Sequence, residues 1–259
     1  MQTRGINTMM HNRPIQSPLK NPDRILDIGC GTGAMCLHLA KAHQSAWSII
    51  GVDLSDVDMP QSQKPTNVSF IQGNFKDLAA SHPDLAANSF DFVFSRMLVF
   101  GMTDWPGYIA QAVSLLKPGA WLELQDVDIM AYNEDRTLRS KSWEWHRNQQ
   151  QAFSALGLDI EVGSKLEGYM QAAGLVDVQV TEYRWVFGHW EGHPETDLIG
   201  EYSPKHIHEV NGSAYRKIFA SKMSEAELEE DIRQMGEDLK GKGGGMFIPF
   251  YVVSGRKPA

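Results

Sequence analysis

The sequence has few cysteines and no long apolar run. Its 259 residues include only Cys30 and Cys36, which cannot build a disulfide framework, so we expect a reducing compartment. No stretch approaches the roughly 18 apolar residues of a membrane span. The first 20 residues also lack the apolar core of a secretory signal. A cytoplasmic protein that does not enter membranes is the expectation.

Basic residues are also scarce relative to acidic ones. Lys and Arg number 24 against 32 Asp and Glu, which gives a formal charge of −8. A surface of that sign repels phosphate backbones, so we do not expect a nucleic-acid partner. With 42% apolar and 22% charged residues the composition is that of a globular protein, and the length favours one α/β domain with an insertion.

In the first half of the chain, short apolar runs alternate with segments of helical spacing. The runs that we interpret as strands are 24–28, 47–52, 68–71, 90–95 and 121–125, and the helical segments are 34–43 and 108–116. Before them, residues 1–23 are polar and contain three prolines, so we expect a lead segment without regular structure. The alternation predicts a parallel sheet with helices on both faces, whose ligands bind beyond the carboxyl ends of the strands.

The second half follows a different pattern. The predicted elements are a helix at 164–173, a strand at 176–183, an irregular His-rich stretch at 187–222, a helix that begins at a Ser224–Glu227 capping box, a flexible glycine break at 241–245 and a last strand at 250–254.

A glycine-rich turn between the first strand and the first helix is the strongest functional signal. The segment reads Asp27-Ile28-Gly29-Cys30-Gly31-Thr32-Gly33, and its glycines let the backbone approach a ligand closely. Gly29, Gly31 and Ala34 also match a dinucleotide pattern. Asp27 favours S-adenosylmethionine over a dinucleotide, because its carboxylate would repel a pyrophosphate and attract the ammonium and sulfonium of S-adenosylmethionine.

Polar residues at the ends of the next three strands are further candidates for ligand contacts. Asp53 can accept bonds from both ribose hydroxyls, or alternatively start a turn with Ser55. Asn74 and Phe75 suit the amine and ring face of adenine, and the alternative for Phe75 is a core residue. Arg96 can hold a carboxylate, with a surface role as the alternative.

Taken together, these motifs resemble the class I S-adenosylmethionine-dependent methyltransferases over residues 24–128. A narrower similarity, to the fungal LaeA-like secondary-metabolism methyltransferases, is found in four further segments: 104–106, 121–126, 174–178 and 248–257. That resemblance implies a Rossmann-like, mostly parallel seven-stranded sheet with an antiparallel last strand, in a domain covering 24–259 with a helical insertion at 187–245. The cofactor-binding residues that we predict are Asp27, Gly29, Cys30, Gly31, Gly33, Asp53, Leu54, Asn74, Phe75 and Arg96.

Methyl transfer from a sulfonium is a direct displacement that needs alignment and removal of water. The acidic charge favours a small-molecule acceptor. No base motif stands out, and His146, His189 and His193 are weak candidates whose more frequent role is a core or rim histidine. We expect no metal site, because the histidine pairs lack completing ligands.

Three alternatives to methyl transfer stay open. The chain could be a regulatory protein that binds the cofactor and acts, in the cytoplasm or the nucleus, through a protein partner. It could be a lyase or pericyclase on the same fold. A nicotinamide oxidoreductase is the most distant alternative, because Asp27 disfavours its dinucleotide.

Overall fold

The computed structural model describes residues 2–44, 46–240 and 245–259. The chain divides into two compact units, each made of three segments. One unit contains the chain up to Pro14, Val127–Glu161 and Glu182–Phe250, and the other contains Ile15–Asp126, Val162–Thr181 and Tyr251–Ala259. Residues 241–244 of the predicted glycine break lie outside the described residues.

Seven strands form one sheet in the order β3-β2-β1-β4-β5-β7-β6. Their bounds are β1 Arg24–Ile28, β2 Ser48–Asp53, β3 Val68–Gln72, β4 Phe90–Arg96, β5 Leu116–Val127, β6 Val176–Phe187 and β7 Met246–Arg256. The first five pair in parallel. The order changes direction at β1, which has β2 on one side and β4 on the other, and ligands of open α/β sheets bind at such a point.

The last strand runs antiparallel to β5. The N–H of Asp128 donates to the carbonyl of Pro249 at 3.1 Å, and the N–H of Gly119 donates to the carbonyl of Lys257 at 2.9 Å. Residue numbers along one strand therefore rise as those along the other fall. The prediction of a mostly parallel seven-stranded sheet with an antiparallel last strand is confirmed.

The described residues contain eight α-helices. They are α1 Gln2–Met9, α2 Ala34–Ala42, α3 Phe75–Ser81, α4 Trp105–Leu115, α5 Glu144–Ala155, α6 Leu166–Ala172, α7 Asp197–Phe219 and α8 Glu225–Leu239. None of these helices is both long and apolar enough to cross a bilayer.

The core beside the glycine turn forms because α2 places apolar side chains on one face. Cys36 and Leu39 of α2 are fully buried and pack in one cluster with Ile25, Ile49 and Phe92 of the neighbouring strands. Each such burial stabilises the fold by about 1.5–3 kcal/mol. This core fixes the glycine turn that joins β1 to α2.

The expectation that residues 1–23 lack regular structure is wrong, because α1 occupies Gln2–Met9. Ile6, Met9 and Met10 are at most 2% exposed, and their spacing of three and four residues is that of one helix face. Three apolar residues in a polar segment are a weak helical signal, and their burial in the same unit as α7 stabilises the helix.

The expectation of an irregular stretch at 187–222 is also wrong, because α7 covers 23 of those residues. Pro204 lies inside α7 and has no N–H to donate to the carbonyl of Gly200. The backbone N–H of Gly188 donates to that carbonyl instead, at 2.9 Å. A tertiary contact therefore replaces the helical bond that proline removes.

The predicted start of α8 is confirmed. The Ser224 hydroxyl accepts from the N–H of Glu227 at 3.4 Å, and the Glu227 carboxylate accepts from the N–H of Ser224 at 2.9 Å. Both halves of the capping box are therefore present, and two otherwise unpaired N–H groups are satisfied.

Candidate active site

A cavity of about 560 Å³ lies at the carboxyl ends of β1, β2 and β3. That volume accommodates a ligand of nucleoside size. Five of the ten predicted cofactor residues line it: Gly29, Asp53, Leu54, Asn74 and Phe75. The other five do not line it: Asp27, Cys30, Gly31, Gly33 and Arg96.

The glycine turn requires left-handed backbone at three positions. Gly29, Gly31 and Gly33 have φ angles of 70°, 53° and 73°. A Cβ on Gly33 would lie 2.6 Å from the Phe70 ring, whereas a Cβ on Gly31 would meet nothing within 4 Å. Backbone conformation and close packing therefore both require glycine at Gly33. At Gly31 only the backbone conformation does so, and the space beside it is open.

Asp53 connects the glycine turn to the end of β2. Its carboxylate accepts the N–H of Gly31 at 2.8 Å and the N–H of Ser55 at 2.9 Å, one on each oxygen. The turn with Ser55 that the sequence offered as an alternative is therefore present. Each oxygen keeps a second lone pair, so the same carboxylate can also accept ligand hydroxyls.

Asn74 and Phe75 begin α3 beside the cavity. The Asn74 side-chain oxygen accepts the N–H of Lys76 at 2.9 Å and so caps the helix. Phe75 is 8% exposed and packs edge-on against the Tyr108 ring, with centroids 5.6 Å apart. The Phe75 ring is therefore a packed residue that also lines the cavity, and its contact with adenine stays a prediction.

Asp27 lies in the interior rather than at the cavity surface. It is 1% exposed, and its carboxylate accepts the thiol of Cys36 at 3.3 Å. Burial raises its pKa from 3.8 to about 6, while the Cys36 bond and the Arg96 charge oppose that rise. At neutral pH the carboxylate is therefore mostly ionised, and it adds negative potential close to the cavity without lining it.

Arg96, at the end of β4, and Cys30, in the glycine turn, are also more enclosed than surface residues would be. The Arg96 Nε donates to the Gln125 amide oxygen at 2.7 Å, and the guanidinium lies over the Phe94 ring. Burial lowers the Arg96 pKa to about 10, so the group stays cationic. Cys30 is 8% exposed, as expected for a packing residue. Leu54, in contrast, is 67% exposed at the cavity.

Sequence reasoning missed the wall of the cavity that follows β4. That wall is formed by Leu98, Gly101, Met102, Thr103, Asp104, Gly107, Tyr108 and Gln111. A usable signal was present, because Asp104 accepts the N–H of Gly107 at 2.9 Å and caps α4, with Pro106 in the first turn. A helix start just beyond a parallel strand predicts cavity residues in its first turns.

The three candidate histidines belong to the unit that does not contain the cavity residues. The Nε2 of His146 lies 2.7 Å from the Ile129 carbonyl oxygen, and burial lowers the pKa of this 4%-exposed side chain. His189 and His193 are exposed and pair with Asp197 and Glu195, at 2.8 and 3.2 Å. Within the described part of the chain, no three metal-binding side chains come together.

Comparisons with known proteins show the family of the chain. A family model described as a methyltransferase domain matches residues 1–180. Methyltransferase pytC of Aspergillus terreus is 32% identical over 203 residues, which are 77% of this chain and 59% of that protein. Secondary metabolism regulator LAE1 of Cochliobolus heterostrophus is 28% identical over 197 residues, 74% of this chain and 62% of that one. The chain thus spans about three fifths of the length of these two relatives.

A solved structure shows the same fold. Phosphoethanolamine N-methyltransferase 2 of Haemonchus contortus, in complex with S-adenosyl-L-methionine, superimposes with a TM-score of 0.59 at 19% identity. The match covers 98% of this chain and 53% of that one. Since the family model covers more than half of the sequence, the chain belongs to the methyltransferase domain family.

Proposed function

We propose that the protein is an S-adenosylmethionine-dependent methyltransferase that methylates a small-molecule acceptor by direct displacement. The observation that supports this best is the cavity where the glycine turn, Asp53 and the start of α3 meet. Those parts come from three neighbouring strands, and each provides a different kind of contact for a nucleoside.

The residues present fit that cofactor. Asp53 offers two acceptor oxygens, and ribose hydroxyls are donors. Leu54 and Phe75 offer apolar surface to adenine, Asn74 offers an amide, and Asp27 supplies negative potential to the cationic amino-acid end. The turn contains no lysine, which a phosphate-binding loop of the P-loop type requires.

Once bound, S-adenosylmethionine supplies a methyl group on a sulfonium, and the protein must orient the acceptor and exclude water. Leu98 and Met102 give the cavity an apolar wall suited to both tasks. Tyr108 in the same wall has a raised pKa because it is buried near Asp126 and Asp27, so its hydroxyl stays protonated and is available to donate a hydrogen bond. No catalytic base is assigned, and His146, His189 and His193 remain candidates.

Calorimetric titration tests the proposal. We expect S-adenosylhomocysteine to bind with a measurable heat and NAD to bind at least tenfold more weakly, because its pyrophosphate would face Asp27 and Asp53. Tighter binding of NAD would contradict the proposal. Mass analysis of products from candidate acceptors then distinguishes methyl transfer, which adds one CH₂ unit, from an isomerisation, which adds nothing.

A regulatory role is the second candidate, and the name of the relative LAE1 favours it. In that case the cofactor would bind as above, but a stable protein partner would co-purify and no small acceptor would be methylated. The two candidates share the cofactor site and differ in whether the protein methylates a small acceptor or acts through a protein partner.

A further inference from the structure

Four polar side chains lie on one face of three adjacent strands. In the sheet register Asp27 of β1 is opposite Phe94 of β4, which is opposite Glu123 of β5, and Arg96 is opposite Gln125. Residues opposite each other on neighbouring strands point to the same face, as do residues two apart on one strand. Asp27, Arg96, Gln125 and Glu123 therefore share a face, with Arg96 diagonal to Asp27.

Glu123 anchors this row to the segment before β1. Its fully buried carboxylate accepts the N–H of Gln16 at 2.9 Å and the N–H and hydroxyl of Ser17 at 2.7 Å each. It also accepts the Gln125 side-chain amide at 2.6 Å. A buried carboxyl group that accepts this many hydrogen bonds has a defined position, and its polar atoms have the partners that burial requires.

Gln125 links Glu123 to Arg96 through the two hydrogen bonds of its side-chain amide. Its amide nitrogen donates to Glu123 at 2.6 Å, and its amide oxygen accepts from the Arg96 Nε at 2.7 Å. A guanidinium can only donate, so the Gln125 amide oxygen faces Arg96 and the amide nitrogen faces Glu123. The guanidinium is further held over the Phe94 ring, 5.5 Å from its centroid.

Arg96 faces two buried carboxylates, and both interact with its charge. Its effect on Asp27 is to lower the pKa of that carboxyl, against the larger effect of burial. The other groups that face Asp27 are Cys36 from α2, which donates its thiol, Asp53 from the end of β2, and Tyr108 from α4. Among these neighbours Arg96 supplies the positive charge.

We propose that Glu123 and Gln125 are positioning residues that hold Arg96 as the counter-cation of Asp27. The hydrogen bonds from Gln16 and Ser17 to Glu123 complete this chain of contacts, which we call the relay. The inference rests on the proposed function only for its consequence, which is that Asp27 stays ionised for a cationic ligand. Arg96 then acts through Asp27 and need not contact the cofactor. The segment before β1 becomes part of the machinery that sets the charge of the site.

The test measures the titration of Asp27 directly. Carbon-13 NMR of aspartate-labelled protein follows its carboxyl, with Asp27→Asn as the assignment control, in the wild type and in Gln125→Leu. We expect the Asp27 midpoint to rise by about one pH unit in Gln125→Leu, since a nearby opposite charge typically shifts a pKa by 1–3. Arg96→Gln should raise it at least as much, and Arg96→Lys should restore part of the difference.

Asp91→Asn is a matched control. Asp91 accepts the N–H groups of Asp23 and Arg24, at 3.1 and 2.9 Å, and pairs with Lys117. It thus anchors the same segment at the other end of β4, and its replacement should leave the Asp27 midpoint unchanged. An unchanged midpoint in either Gln125→Leu or Arg96→Gln, or an equal rise in Asp91→Asn, would overturn the relay.

Cofactor binding is measured separately, as the pH dependence of the dissociation constant for S-adenosylmethionine. We expect its midpoint to move with that of Asp27 in each variant. If the wild type binds no S-adenosylmethionine while Asp27 shifts as expected, the relay stands and the proposed function fails. If binding occurs but the Asp27 midpoint does not move in Gln125→Leu or in Arg96→Gln, the relay fails and the proposed function stands.

Discussion

At the scale of single residues, the charge of Asp27 favours a cationic ligand but destabilises the fold. Its pKa in the fold is about 6 against an ordinary 3.8, so the folded state binds the carboxyl proton more tightly than the unfolded chain does. The stability that this preference contributes is complete below pH 3.8 and is lost as the pH rises through about 6. At neutral pH an ionised, buried carboxylate remains, which costs roughly 3 kcal/mol.

We therefore expect Asp27→Asn to increase the free energy of unfolding by roughly 3 kcal/mol at pH 7 and by much less at pH 4, where Asp27 is largely protonated. Urea denaturation at both pH values measures this difference. The same variant should bind S-adenosylmethionine at least tenfold more weakly. A stability gain that is equal at the two pH values would contradict the explanation.

Asp53 gives a second prediction at this scale. Replacement by alanine removes both carboxylate oxygens, so we expect affinity for S-adenosylhomocysteine to fall about 10- to 100-fold, the usual effect of losing charge-assisted hydrogen bonds. Calorimetry measures the change. Asp56→Ala, at an exposed position three residues further on, is the control and should bind like the wild type.

At the scale of elements, α7 shows how a helix can contain glycine and proline and still be stable. A Cβ on Gly200 would overlap the carbonyl oxygen of Gly188, whereas a Cβ on Gly212 would lie 3.5 Å from Ile232, an ordinary contact. The two glycines of one helix are therefore under different constraints. Gly200 lies close to Gly188 because its carbonyl, which Pro204 leaves without a helical donor, accepts the N–H of Gly188.

We expect Gly200→Ala to destabilise the protein by about 1–3 kcal/mol through overpacking. Gly212→Ala should instead be neutral or stabilising by up to about 1 kcal/mol, since alanine favours helix. Chemical denaturation of the two variants measures both effects. Equal effects in the two variants would mean that close approach at Gly200 is not what selects glycine there.

These elements also show how far sequence reasoning reaches. Strands β1 to β5, the glycine turn and the start of α8 could be predicted, because periodicity and capping are local properties of the chain. Helix α7 could not, because the partner of the Gly200 carbonyl is Gly188, which sequence spacing does not reveal. The same holds for the cavity: Asp53 was predictable from its strand end, but the Gln125–Arg96 bond depends on the β4–β5 register.

At the scale of the whole molecule, a net charge of −8 selects among ligands before any contact is made. That charge repels anionic dinucleotides and attracts a cationic nucleoside. Asp27 and Asp53 continue the same preference near the cavity. Screening by salt should therefore reduce the discrimination between S-adenosylmethionine and NAD.

Ligand binding should also stabilise the fold as a whole. At a concentration 100 times its dissociation constant, S-adenosylhomocysteine should add about 2.7 kcal/mol to the free energy of unfolding. For a chain of this size that corresponds to a rise in Tm of about 5–10 °C. Differential scanning fluorimetry measures it, with NAD at the same concentration as the control, and an equal rise with NAD would count against the proposed cofactor.

The hydrogen bond from Gly31 to Asp53 has a kinetic consequence. Since that bond already closes the turn against the end of β2, an arriving nucleoside meets a receptor whose shape is assembled in advance. Little conformational entropy is then left to lose on association. The encounter should be governed by diffusion into the cavity rather than by a slow ordering of the loop, and differences in affinity should appear mainly in how long the nucleoside stays.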